Sequence, residues 1–437
     1  MGVSGVAAAK LLRAEGSRVT AIDSRRDDGI LEQSRKLAAM GTAALPGCSR
    51  LPEGAFDVCI VSPGIRADSD WVTQAEARGI EVLSELELGA SRCRWPMLAV
   101  TGSKGKSTLV KLCADALGVA GRRAVPCGNY GLPLCEVAAS GEALDAVVVE
   151  VSSFQLEKVK GFRPRVGILL NIQPDHLDRH GDMASYTRLK ARLFTAMTPA
   201  DTGAVLDSLA DDIARVAGSP NRWVKFGASE GADFRYTAGA IHYREAGGPA
   251  SVSVEGTPFD NRILGLAAAA AVAAMQALGV AAAAVETAAR RFEPLPHRMQ
   301  KVAVGRSVDF VDDSKATNLA AMAAALEMCG RPVRLIAGGL LKETNLDAVK
   351  QVLASCVRKV YLIGQSSARM ESAWAGVVPC CRCERLEAAV RTAWADAKSG
   401  EAILLSPGCA SFDQFNNFED RGNQFTALAR RVAQEEI

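Results

Sequence analysis

In a chain of 437 residues, 51 basic side chains are set against 49 acidic ones, so no bulk charge is left to recruit nucleic acid or an anionic membrane. Its 49% hydrophobic content is material for two or three cores, which excludes a disordered or fibrous chain. Twelve cysteines lie scattered without metal-finger spacing, and no basic segment followed by an apolar core marks export, so reduced thiols in the cytoplasm are expected.

From residue 1 to 92, apolar β-prone runs at 17–22, 57–62 and 80–83 alternate with helical stretches rich in Ala, Leu and Glu. That is the rhythm of a parallel sheet, and it predicts a Rossmann-like first domain. The opening Met1-Gly2-Val3-Ser4-Gly5 reads as the end of a glycine turn that normally follows a strand, so a truncated or misassigned start is expected. Arg92-Cys93-Arg94-Trp95-Pro96 reads as a linker into a second domain, 93–294, with a parallel sheet. Within it, residues 263–285 are almost wholly apolar, yet mostly alanine, and Gly279 interrupts them. A pair of buried helices, the first capped by Asp260 or Asn261, is predicted there, rather than a membrane span. The prolines of Glu293-Pro294-Leu295-Pro296 break the pattern, and a third βα series follows with strands near 308–311, 333–337, 360–363 and 403–405. The fold class expected is therefore α/β in three domains: 1–92, 93–294 around a P-loop ATPase sheet, and 295–437, again Rossmann-like.

The strongest local signal is Thr101-Gly102-Ser103-Lys104-Gly105-Lys106-Ser107-Thr108, between the apolar run Met97–Val100 and the helix-prone Leu109–Leu112. Strand, glycine loop and helix in that order form an anion cradle, in which Lys106 reaches terminal phosphates and Ser107 holds Mg²⁺. ATP binding is predicted. Glu150 ends the run Val147-Val148-Val149 at the carboxyl edge of a sheet, where a carboxylate is a natural Mg²⁺ ligand. Residues 171–180, Asn-Ile-Gln-Pro-Asp-His-Leu-Asp-Arg-His, gather hard oxygen donors, an arginine and two of the chain's four histidines. A metal–phosphate site is predicted in that loop. Lys190 by itself reads as a solvated helical residue. Pro296-His297-Arg298 and the segment Asp312 to Asn318 can project charge toward a cleft, although Asp313 and Ser314 are equally natural helix caps. Cys380-Cys381-Arg382-Cys383 has no histidine partners nearby and reads as incidental.

Six stretches in this order resemble the Mur ligases of peptidoglycan synthesis, specifically those that add glutamate: the phosphate loop, Glu150–Leu156, Asn171–Arg179, Leu295–Arg298, Asp312–Asn318 and Leu405–Phe415. The resemblance covers nearly the whole chain. It implies a ligase in which the carboxylate of UDP-N-acetylmuramoyl-L-alanine takes the γ-phosphoryl group of ATP and the resulting acyl phosphate is attacked by the amine of D-glutamate. It further implies two Mg²⁺ ions, one on Ser107 and Glu150 and a second on His176 and a carbamylated Lys190, with Lys106, His176 and Lys190 catalytic. Gly102 to Thr108, Arg298 and Asp313 would bind ATP. Ser4, Asp23, Ser24, Arg25, Ser62, Pro63 and Gly64 would take the uridine diphosphate, and Asn129, Ser152 and Gln155 the muramoyl group. Lys315, Thr317, Lys342, Ser411, Phe412 and Phe418 would shape the glutamate pocket, although the loop Gly338-Gly339-Leu340-Leu341-Lys342 is less polar than the family's. Leu264 stands where the family often has asparagine near the adenine. Small-molecule substrates and a cytoplasmic monomer are implied, with neither nucleic acid nor membrane as partner. The competing readings are an amide ligase of the same superfamily with another acceptor, such as a folylpolyglutamate synthase, and a P-loop regulatory protein that has lost acyl transfer.

Overall fold

Strand Met97–Thr101 is buried at every position, as are its neighbours Ala146–Glu150 and Val166–Leu169. Strands covered on both faces read as continuous apolar runs rather than alternating ones, and this explains why all three were legible. They form the middle of a nine-stranded sheet in a computed structural model that describes residues 1–219, 221–343 and 345–435. The sheet order is Ala124–Gly128, Ala146–Glu150, Met97–Thr101, Val166–Leu169, Thr202–Leu206, Arg222–Gly227, Phe234–Thr237, Ala240–Glu245 and Gly248–Ser253. The first seven run parallel, and the last two each pair antiparallel with the strand before them. Parallel pairing puts the carboxyl ends of three adjacent strands side by side, so the segments beginning at Gly102, Val151 and Leu170 share one edge, which is where open α/β sheets bind ligands.

The alanine-rich segment forms two helices, Arg262–Ala277 and Ala283–Arg290, separated by Gly279 in the left-handed region. Asn261 caps the first, its side-chain oxygen accepting the N–H groups of Ile263 and Leu264 at 3.1 and 2.9 Å. Small side chains let this helix lie close to the sheet: a Cβ at Gly265 would sit 2.3 Å from the Tyr236 ring. Among the described residues, no helix is long and apolar enough to cross a membrane.

Chain contacts divide the protein into two units, Met1–Phe292 and Glu293–Ile437. Within the first, residues before the linker alternate strand and helix as expected, but their strands pair as two separate parallel pairs, Thr20–Asp23 with Ala43–Pro46 and Val58–Val61 with Glu81–Ser84. This region packs closely on the chain beyond the linker. Helix Glu85–Arg92 lies against Leu134–Ala139, Glu85 accepts the Cys135 N–H at 2.8 Å, and a Cβ at Gly89 would meet Cys135 N at 2.7 Å. The second unit holds a six-stranded sheet in the order Gln300–Gly305, Val308–Asp312, Ala402–Leu405, Val333–Gly338, Val357–Ile363, Cys380–Glu384. Only its first pairing is antiparallel.

Candidate functional site

The phosphate loop turns on Gly102 and Gly105, both at positive φ, and helix Lys106–Val119 begins directly after it. A Cβ at Gly105 would meet Leu170 at 2.9 Å, so the loop lies tightly on the neighbouring strand end. Asn171, the second residue after strand Val166–Leu169, clamps it: its side-chain oxygen accepts the N–H groups of Ser103 and Lys104, and its amide donates to Lys104 O, all at 3.0 Å. Two of the loop's N–H groups are thus spent on structure, whereas the N–H groups of a helix's first turn point along its axis and can face an anion. Lys106 Nζ curls back to the carbonyls of Gly102 and Ser103 at 2.9 and 3.1 Å. Ser103 Oγ lies 3.2 Å from the Tyr186 hydroxyl, a contact no local sequence signal indicates.

Glu150, only 2% exposed, carries the oxygen-rich centre of this edge. Ser107 Oγ donates to one of its oxygens at 2.6 Å and Asn129 Nδ2 to the other at 2.7 Å. Neither donor is charged. Predicted metal-site and muramoyl-site residues therefore meet on one carboxylate. Ser152 and Gln155, by contrast, engage each other in a capping box at the start of helix Ser153–Leu156.

Lys190 is not solvated. It is 1% exposed, donates to Gly102 O at 2.9 Å, and holds its Nζ 4.6 Å from the centre of the Tyr186 ring. Burial, with the Lys106 charge adding to it, pushes its amine well below the ordinary lysine range. His176 starts the short helix Leu177–His180 from the left-handed region and is half exposed, its ring centroid 4.7 Å from that of Phe154. Burial depresses its pKa against the pull of Asp175, which is itself paired with Lys104 at 3.0 Å. His180 bonds Ser153 Oγ at 3.0 Å.

Near the chain start, Ser4 lies in helix Val3–Ala14, and Ser62 approaches that helix so closely that a Cβ at Gly5 would be 3.1 Å from its hydroxyl oxygen. Asp23 ends its strand and accepts the Arg25 N–H at 3.0 Å, while Ser24 and Arg25 are exposed. Pro63 and Gly64 follow strand Val58–Val61, and Arg179 donates to Pro63 O at 3.2 Å.

In the second unit, Asp313 follows strand Val308–Asp312 and is buried, accepting from Ser406 Oγ at 2.8 Å and Met299 N at 3.2 Å. Burial pushes its carboxyl up to about 7, against the pull of those hydrogen bonds and of Arg298. Lys315 Nζ sits 3.6 Å from the Phe418 ring centre, bringing two residues predicted for the glutamate pocket together. Thr317 N donates to Lys315 O at 2.9 Å; Ser411 is buried, Phe412 is 67% exposed and Lys342 is exposed. Leu340 bridges to Ala410, next to Ser411, and Leu341 packs on the core. The apolar text of that loop thus has a packing role. Arg421 was not anticipated. Fully buried, it donates to Ser314 and to Cys409 O, and burial lowers its pKa to about 10.

Residues 100–281 match the Mur ligase middle domain and residues 297–409 the Mur ligase glutamate ligase domain. The chain is 37% identical to the UDP-N-acetylmuramoylalanine–D-glutamate ligase of Desulfotalea psychrophila, over 97% of this chain and 93% of that one. It is 35% identical to the ligase of the same name from Koribacter versatilis, over 100% of this chain and 97% of that one. Its fold is shared with the MurF ligase of Thermotoga maritima in complex with ADP, at a TM-score of 0.67 and 16% identity, covering 98% of each chain. With a nearly full-length match above the level at which families are shared, and with both domain matches in order, the chain belongs to the Mur ligases, among the UDP-N-acetylmuramoylalanine–D-glutamate ligases.

Proposed function

We propose that this protein joins D-glutamate to UDP-N-acetylmuramoyl-L-alanine at the expense of ATP, through an acyl phosphate, in peptidoglycan precursor synthesis. The observation that carries this reading is the cluster of Ser107, Glu150 and Asn129 beside two lysines on one carbonyl, in a chain 37% identical over nearly its full length to a ligase of that name. Lys106 and the first turn of helix Lys106–Val119 hold the phosphates. Glu150 is a buried carboxylate whose oxygens accept from the Ser107 hydroxyl and the Asn129 amide, and with the Ser107 hydroxyl it makes the hard-oxygen donor set that Mg²⁺ takes. Bound Mg²⁺ would supply the positive charge that lets a substrate carboxylate approach the γ-phosphate. His176 and Lys190 would hold a second ion, and the low proton affinity of the Lys190 amine favours its carbamylation to an anionic ligand.

The remaining assignments rest on the family pattern. The region 1–92 takes the uridine nucleotide through Ser4, Asp23, Ser24, Arg25 and Ser62-Pro63-Gly64. In 93–294, Asn129, Ser152 and Gln155 take the muramoyl group. Ser152 and Gln155 do so from a helix N-terminus that their capping box already orders. In 295–437, Lys315, Thr317, Lys342, Ser411, Phe412 and Phe418 take glutamate, and Arg298 and Asp313 the nucleotide. The protein acts as a cytoplasmic monomer on small molecules. The test is to incubate it with UDP-N-acetylmuramoyl-L-alanine, ATP and Mg²⁺, add D- or L-glutamate separately, and measure phosphate release and product mass. Product with D-glutamate alone is expected; product only with L-glutamate, or with neither, overturns the reading.

A further inference from the structure

We infer that Arg179 is a positioning residue that couples the loop Ser62–Ile65 to the backbone carrying His176, so that seating the uridine nucleotide and ordering His176 reinforce each other. The inference rests on the assignment of Ser62-Pro63-Gly64 to the nucleotide. Arg179 is 11% exposed and every contact of its guanidinium has a direction. Nε and Nη2 grip the two oxygens of Glu157 at 2.7 and 2.6 Å. Nη1 donates to Pro63 O at 3.2 Å and Nη2 to Ile65 O at 2.9 Å. The plane lies 4.2 Å from the centre of the Phe154 ring, the same ring that contacts His176.

Both ends of this strap are fixed. Glu157 comes directly after helix Ser153–Leu156, and its carbonyl accepts from Nη1 of Arg192, the residue that closes helix Met183–Ala191, at 2.8 Å. Arg179 itself stands one turn after His176, and its N–H donates to His176 O at 3.0 Å. A shift of the Pro63–Ile65 carbonyls therefore pulls on a side chain whose backbone sets where the imidazole stands. Lysine cannot replace it: one ammonium cannot span two carboxylate oxygens and two carbonyls at once. Coupling of this kind is reciprocal in binding free energy, so it is readable from either end.

The test compares the full-length wild type with Arg179→Lys by amide hydrogen exchange over residues 58–66 and 171–182, with and without UDP-N-acetylmuramoyl-L-alanine, together with steady-state kinetics. In the wild type the ligand is expected to protect both segments. In Arg179→Lys, 58–66 should still be protected while protection of 171–182 is lost, and KM for the uridine substrate should rise at least ~5-fold while KM for glutamate holds. Joint protection of both segments in the variant, with KM unchanged, would overturn the coupling. Glu157→Gln, which keeps one acceptor and the side-chain shape, gives the same readout in smaller measure should the lysine variant fail to fold. No protection of 58–66 in the wild type overturns the nucleotide assignment instead. The ligand-free comparison then still decides: faster exchange of both segments in the variant supports the coupling, and unchanged exchange overturns it.

Discussion

Lys106 and Lys190 donate to one acceptor: each side-chain nitrogen lies 2.9 Å from the carbonyl oxygen of Gly102. Two ammonium groups on a single carbonyl repel, and the buried one yields its proton more readily, because desolvation penalises its charged form. Of the two, Lys190 is the one whose charged form burial disfavours.

A neutral Lys190 amine is expected to take up CO₂, forming an N–C bond and releasing a proton. With ¹³C-labelled bicarbonate, the wild type should show a carbamate resonance that is absent from Lys190→Ala. Turnover of that variant should fall by at least the ~10- to 100-fold that loss of a partner outside the ligand shell typically brings. The linkage sign comes from the same shift. Between its depressed pKa and the ordinary value near ~10.4, the folded state binds fewer protons at Lys190 than the unfolded chain, so this group's cost to stability shrinks as pH rises through that window. A labelled resonance that persists in the alanine variant would place the carbamate elsewhere.

Asn171→Ala should loosen the phosphate loop without touching phosphate. It removes three hydrogen bonds to Ser103 and Lys104, each worth roughly 1 kcal/mol, so a loss of ~2–3 kcal/mol is expected along with a raised KM for ATP. Asn171→Asp keeps the oxygen that accepts both N–H groups but sets a second carboxylate oxygen against Lys104 O, so it should recover only part of that loss while its new charge still weakens ATP binding. Chemical denaturation of the two variants beside an ATP titration separates the effects. Equal stability of wild type and the alanine variant would remove Asn171 from the loop's support.

How much of this site was readable from the chain alone depended on whether the information was local. The glycine loop announced itself because strand, turn and helix are contiguous, and Glu150 because a charge ended an apolar run. The clamp by Asn171 was not readable, since it requires strands Met97–Thr101 and Val166–Leu169 to be neighbours, a consequence of pairing between segments some 68 positions apart. Lys190 looked solvated for the same reason: its burial is made by Tyr186 and by a carbonyl 88 positions away. Ser152 and Gln155 are the converse case. Their three-residue spacing is a local capping signature, yet the family pattern drew attention to substrate instead. Arg421 gave no cue, because a buried arginine resting on carbonyl and hydroxyl oxygens has the same text as a solvated one.

Asp313 should make stability depend on pH in the direction opposite to most carboxylates. Its carboxyl is pushed up to about 7 by burial, whereas in the unfolded chain it titrates near ~3.9. Between those values the folded state holds a proton that the unfolded state has released, so stability falls as pH rises through the window and levels off above it. The shift bounds the effect at something on the order of 4 kcal/mol. Asparagine at this position keeps an oxygen for Met299 N and offers its amide to Ser406 Oγ, with nothing to ionise. The thermal midpoint of wild type, measured from about pH 5 to about pH 8, should therefore drop more than that of Asp313→Asn, the two converging at the acid end. Parallel pH profiles would mean that the buried carboxylate is already ionised at pH 5, and that Arg298 and the two hydrogen bonds outweigh its desolvation.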